Sequence, residues 1–118
     1  MKTLQYRVGK LHHSHGQKQI TWGDEIDCGR GWDPSVALNS DGHVLEVHST
    51  VTLRRLQYRN GVVDSNAFRI DWARDAIQYD LGEYPSVCLN GNRERNVVEA
   101  HETNFGISVW CRSGILNN

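Results

Sequence analysis

Leu56-Gln57-Tyr58-Arg59-Asn60-Gly61 restates Leu4-Gln5-Tyr6-Arg7-Val8-Gly9, and Val109-Trp110-Cys111-Arg112-Ser113-Gly114 is a degenerate third copy. Between them Ile20-Thr21-Trp22 answers to Ile70-Asp71-Trp72, and Pro34-Ser35-Val36-Ala37-Leu38-Asn39 to Pro85-Ser86-Val87-Cys88-Leu89-Asn90. Val44-Leu45-Glu46-Val47-His48 returns as Val97-Val98-Glu99-Ala100-His101. Four blocks recurring in one order make chance similarity implausible. A period of roughly 40–50 residues with several strands per unit is the signature of propeller blades and related arrays. The 118 residues therefore read as a single domain of two blade repeats, over 4–52 and 56–106, with a partial third copy over 107–118.

Each block has strand character. Residues 44–48 and their copy alternate in side-chain type with period two. Ser40-Asp41-Gly42 separates two apolar runs, and Asp-Gly tolerates the positive φ of a tight turn, so 35–39 and 43–49 are predicted antiparallel neighbours. The longer polar stretch Gly91-Asn92-Arg93-Glu94-Arg95-Asn96 takes that place in the second repeat. A third strand is predicted over 53–59, turning at Asn60-Gly61, and a fourth over 68–73. Pro34 and Pro85 mark strand starts. No segment carries a 3.6-residue apolar stripe, so the fold class is all-β: antiparallel four-stranded blades of a β-propeller.

Lettered A to D after the proline, the strands run C-D, A-B-C-D, A-B-C. Short strand A suits the crowded innermost position, and strand D, with Trp22 or Trp72, an outer one. Two repeats cannot close a propeller, which needs about four to eight blades. Open edges would invite uncontrolled pairing. The ring is expected to be completed by oligomerisation, as a homo-oligomer that is a dimer, trimer or tetramer, with the trimer favoured. The alternative is a fragment of a larger propeller. Where neighbours share a blade, the C-terminal copy of strand C is tethered to its own strand B, and loop-closure entropy predicts that it keeps its place against the N-terminal copy.

Composition narrows the partners. A net charge of −1 gives no field to attract a nucleic-acid backbone. The longest apolar runs are a few residues, too short to insert across a hydrocarbon layer of about 30 Å. Met1-Lys2-Thr3-Leu4-Gln5-Tyr6 leads straight into a repeat block with no secretory apolar region, so a cytoplasmic location is the default expectation. Cys28, Cys88 and Cys111 are an odd number with no metal-type spacing, and no disulfide framework is expected. Cys88 stands where the first repeat has Ala37, and Cys111 where Tyr6 and Tyr58 occur; both are expected as buried small hydrophobes.

Glu46 with His48, and Glu99 with His101, lie two apart on a strand and share a face. They read either as a polar pair in a ligand site or as a hydrogen-bonded pair that satisfies the scaffold. Duplication argues against a catalytic pair and for multivalent binding, so no enzyme is expected; a hydrolase using either glutamate is the remote alternative. Trp22 and Trp72, beside Arg7 and Arg59, could stack a pyranose or pack between blades. Trp32 and Tyr84 precede the prolines in loops, where recognition residues concentrate. Asp27 and Asp80 are assigned turn and capping roles. His12-His13-Ser14-His15 has no counterpart in the second repeat and no acidic or thiol partner at ligand spacing, so no metal site and no cofactor are expected.

The P-S-V-A-L-N, V-x-E-V-H and L-x-Y-R-x-G elements, with a Trp strand between, resemble repeats of bacterial and fungal β-propeller lectin-like proteins. That resemblance implies shallow glycan sites and multivalency through ring assembly. The expected carbohydrate-binding set is Trp22, Trp32, Trp72 and Tyr84 for stacking. Polar contacts are expected from Arg7, Arg59, Glu46, Glu99, His48, His101, Asn39 and Asn90. The alternative is a structural or protein-interaction repeat in which these residues pack and bond between blades.

Overall fold

Alternating apolar blocks become antiparallel strands throughout. The computed structural model describes residues 3–91, 95–104 and 108–117, and among these it is all-β with no α-helix. The strands are β1 (Thr3–Tyr6), β2 (Gly9–Ser14), β3 (Gln17–Trp22), β4 (Ile26–Arg30), β5 (Trp32–Leu38) and β6 (His43–Ser49). They continue as β7 (Arg55–Asp64), β8 (Arg69–Trp72), β9 (Ile77–Leu81), β10 (Glu83–Leu89), β11 (Asn96–Glu102) and β12 (Val109–Ile115).

The complete unit is the central sheet, β5-β6-β7-β8 with β9 also on β7. One edge of β7 pairs with β6 from Leu56 to Val62. Its other edge takes β9 at Arg55–Tyr58 and β8 at Gly61–Asp64, end to end. The N-terminal strands repeat the second half of this unit: β1 pairs with β4 and β2 with β3, so β1 and β2 together correspond to β7. The C-terminal strands β10-β11-β12 repeat its first half. Register is kept between units, Glu46 facing Arg59 across β6–β7 and Glu99 facing Arg112 across β11–β12.

Two apolar clusters join the three units. Val8 from the N-terminal unit packs with Val44 and Ile70, flanked by Tyr6, Phe68 and Trp72. Leu45 and Val47 of the central sheet pack with Val87 and Leu116. A matched pair of glycines sets the approach. A Cβ on Gly31 would lie 2.7 Å from the His48 ring and 3.0 Å from Leu4, and one on Gly82 would lie 2.8 Å from His101 and 3.3 Å from Leu56. The N-terminal unit thus sits on the central one as the central one sits on the C-terminal one.

Four expectations are corrected. Asn60-Gly61 is no turn: both residues are buried inside β7, because strands on both edges continue the ladder there, and a Cβ on Gly61 would come 2.5 Å from the Asp71 carbonyl. The unit has five strands, because 26–30 and 77–81 form β4 and β9 instead of loops. Their alternation is short and polar, so periodicity missed them. Cys88 and Cys111 are exposed: strand alternation sends Cys88 outward from buried Val87, and β12 carries no further strand on its outer edge among the described residues. Trp32 and Tyr84 lie in β5 and β10, where a break in register precedes each proline. The connection expected over 91–96 lies partly outside the described residues. The Asp41-Gly42 hairpin between β5 and β6 forms as predicted. Among the described residues no helix is long and apolar enough to cross a membrane.

Gly82 has φ 148° and no room for a Cβ, which would stand 2.5 Å from the Glu102 carbonyl, whereas Gly16 has φ 78° and open space. Gly82→Ala should destabilise by roughly 3 kcal/mol and Gly16→Ala by about 1 kcal/mol, measured by urea unfolding.

Candidate functional site

Strand alternation sends Glu46 and His48 to the same buried face of β6. His48 Nδ1 donates to the Glu46 carboxylate at 2.9–3.0 Å, and its Nε2 meets Gln57 Oε1 at 3.1 Å. Arg59 Nε donates to Glu46 at 2.9 Å from the facing position on β7. The Arg59 guanidinium lies 4.9 Å from the Trp72 ring centre, a cation–π distance. Trp72 in turn meets Tyr6 edge-on at 5.8 Å. The Tyr6 hydroxyl accepts from the Ile70 backbone N–H at 3.0 Å, tying β1 to β8. Tyr6, Cys28, Val36, Glu46 and Trp72 line a cleft of about 250 Å³. Burial pushes the Cys28 thiol pKa up, and nearby Arg59 opposes that.

The second unit solves the same problem differently. His101 Nδ1 donates to Glu99 at 2.9–3.0 Å, but the other donor is the Tyr79 hydroxyl, at 2.7 Å. Arg112 faces Glu99 in register yet turns to Asp80, with its guanidinium 5.9 Å from the Tyr79 ring. Asp80 also lies 3.7 Å from His101 Nε2. Burial, then the Glu99 acceptor, pushes the Tyr79 phenol pKa far above its ordinary value, so it stays a donor. Tyr58, Tyr79, Val87 and Glu99 line the matching cleft, of about 310 Å³. On its outer side nothing corresponds to Trp72 among the described residues.

A third cleft, of about 280 Å³, lies where two units meet. Trp32 and Asp33 from the start of β5 face Glu83 and Tyr84 from the start of β10, with Val51 and Arg54 between. Arg54 and Glu83 form an ion pair. Asp33 and Tyr84, each just before its proline, hold φ of 52° and 51°. Left-handed conformations cost such residues of order 1–3 kcal/mol and tend to cluster at functional sites. Trp32 and Tyr84 both remain exposed.

The sequence-predicted residues therefore divide. Trp32 and Tyr84 come together in one open cleft. Arg7, Glu46 and Trp72 line the first cleft described above, and Glu99 its counterpart in the second unit. Glu46, His48, Glu99 and His101 are buried and bonded to one another. Arg7 pairs with exposed Glu25 at 2.9 Å and lies 5.9 Å from the centre of the exposed Trp22 ring. Asn39 and Asn90 stand apart from the clefts and close hairpins. Asn39 Oδ1 accepts the backbone N–H groups of Asp41 and His43, and Asn90 Oδ1 accepts that of Asn96. Asp27 and Asp80 lie in strands, Asp27 accepting from Gln5 and Asp80 beside His101 and Arg112, which corrects their turn assignment. Reading the sequence missed Asp33, Arg54, Glu83 and Tyr79; the pre-proline position common to Asp33 and Tyr84 was the available signal. No group of three or more His, Cys, Asp or Glu among the described residues is placed to hold a metal ion. No family model matches the chain, and neither a curated protein nor a solved structure matches it.

Replacing Tyr79 by Phe removes one of two donors to the buried Glu99 carboxylate and should cost about 2 kcal/mol at neutral pH. Because folding raises this phenol's pKa above its unfolded value of about 10, the stability it contributes is present below that pH and lost above it. Between about pH 9 and pH 11 the melting temperature of the parent chain should therefore fall more steeply than that of Tyr79→Phe.

Proposed function

We propose that this chain is a non-enzymatic carbohydrate-binding module of propeller blades, presenting multivalent sites in an oligomeric ring. The observation that carries the reading is the cleft in which exposed Trp32 and Tyr84 from successive units flank Asp33, Arg54 and Glu83. Aromatic faces suit the apolar CH face of a pyranose, and the flanking charges suit its hydroxyls. The volume of about 280 Å³ lies just under the usual small-molecule range of roughly 300–1,000 Å³, room for one sugar ring. Single-ring contacts are weak, and repetition round a ring raises avidity. In this reading the Glu–His pairs are scaffold, holding the strands that present the cleft.

One observation favours a second reading, a structural or protein-interaction module. The most polar repeated residues, Glu46, His48, Glu99 and His101, are consumed by bonds within the fold. Titration with a panel of monosaccharides and short glycans, read by tryptophan fluorescence and calorimetry, separates the two. Glycan binding predicts saturation at millimolar ligand and at least about a tenfold loss in a Trp32→Ala, Tyr84→Ala double variant. The variant's melting temperature should stay within about 3 °C of the parent. A folded chain that saturates with no glycan leaves the structural module.

A further inference from the structure

The two ends of the chain are complementary halves of one unit. β1–β4 supply the strands equivalent to β7, β8 and β9 without a β5–β6 pair, and β10–β11 supply that pair. Exposed apolar residues mark the same join. Val36 is 63% exposed whereas its counterpart Val87, seated against Leu45 and Val47, is 6% exposed. Val98 is 53% exposed whereas its counterpart Leu45 is 4% exposed. Each exposed residue has a twin that is buried at the internal contact between units, so the occupant that fits these surfaces is another copy of the same chain in the same relation. Such head-to-tail contacts are heterologous and generate rings where the rotation closes.

We propose that a second copy docks head to tail on the C-terminal unit, its β1–β2 strand taking the place beside β11 that β12 holds in the single chain. Displacement of β12 follows from the repeat. β7 pairs with β6 while flanking β10, and β1 has the same relation to β5 through Leu4 and Gly31. A copy whose β5 packs on β10 and β11 therefore delivers its own β1–β2 to β11.

The side chains match. In the central unit His48 faces Gln57 and Glu46 faces Arg59. The arriving strand carries Gln5 and Arg7 at the same spacing, opposite His101 and Glu99, whereas β12 offers Trp110 and an Arg112 that turns to Asp80. Arg7 brings Trp22 with it, supplying the aromatic wall that Trp72 gives the first cleft. The cleft of Tyr58, Tyr79 and Glu99 is thus completed in trans. Against the expectation from loop closure alone, β12 is then released when copies associate; in a lone chain it is favoured by its tether and by Leu116, which packs on Leu45, Val47 and Val87.

Sedimentation equilibrium over a range of concentrations tests this, and its readout is mass, independent of any glycan. The full chain should pass from 13.4 kDa to multiples of that mass. Arg7→Glu changes a half-exposed residue whose ion pair among the described residues is with exposed Glu25 and which lies beside the exposed Trp22 ring. That variant should keep the monomer's circular dichroism and weaken association by at least about thirtyfold, the effect of losing one partner of a buried charge pair. A chain ended after Asn104 should associate at lower concentration than the parent, and deletion of residues 1–9 should abolish association. The proposal is overturned if the full chain stays monomeric to millimolar concentration, if Arg7→Glu associates like the parent, or if ending a still-folded chain after Asn104 abolishes assembly. Should that shortened chain fail to fold, the parent and Arg7→Glu masses decide alone.

Discussion

A carboxylate buried in a β-sheet has to be paired where it stands, and most of this fold is arranged around two of them. Removing one partner from a buried, hydrogen-bonded charge is far more damaging than never having buried it, by about 3–5 kcal/mol. Glu46 therefore fixes its surroundings: His48 on the same face of the strand, Arg59 opposite in register, and Trp72 over the guanidinium. A slip of one residue between β6 and β7 would turn Arg59 to the other face and strand the carboxylate. Register, strand pairing and the position of the aromatic wall follow from one buried charge.

The second unit shows which part of that arrangement is indispensable. Glu99 keeps its histidine, with the same Nδ1 geometry, but takes a phenol in place of a guanidinium. Tyr79 can do this because its environment holds it neutral; an ionised phenolate beside a carboxylate would repel it. Arg112, freed from Glu99, compensates Asp80 at the edge of His101. The Glu–His pair is invariant between the units while its third partner varies, so the pair itself is the structural element and the third partner sets local charge.

Much of this was legible in the residues. Spacing located the repeats and the shared face of each Glu–His pair, and Asp-Gly turn chemistry located the hairpin at Asp41-Gly42. The polar partners were not legible, because they lie on strands that periodicity cannot find. Ile26-Asp27-Cys28 and Ile77-Gln78-Tyr79 have one or two apolar positions each and owe their strand form to pairing with β1 and β7. Asn60-Gly61 misled for the opposite reason. Its turn chemistry is local, and the ladders on both edges of β7 override it, with glycine retained to admit the Asp71 carbonyl. Trp32 and Tyr84 were recognisable as pre-proline aromatics, but not as neighbours. They occupy non-equivalent positions relative to their prolines and meet only because β5 and β10 lie side by side.

That last juxtaposition links architecture to the proposed activity. Neither pre-proline segment makes a cleft alone; one forms where β5 and β10 of successive units lie side by side, and among the described residues that happens once. The number of such clefts is then fixed by the number of junctions between units, not by the number of units. In the proposed ring each contact between copies would add a junction of this kind, with Tyr84 of one copy in the position that Asp33 holds in the internal cleft and Trp32 of the next in that of Glu83. In that proposed ring valency and closure would be one variable: strengthening the contact between copies would raise the number of junctions at which these aromatic residues meet.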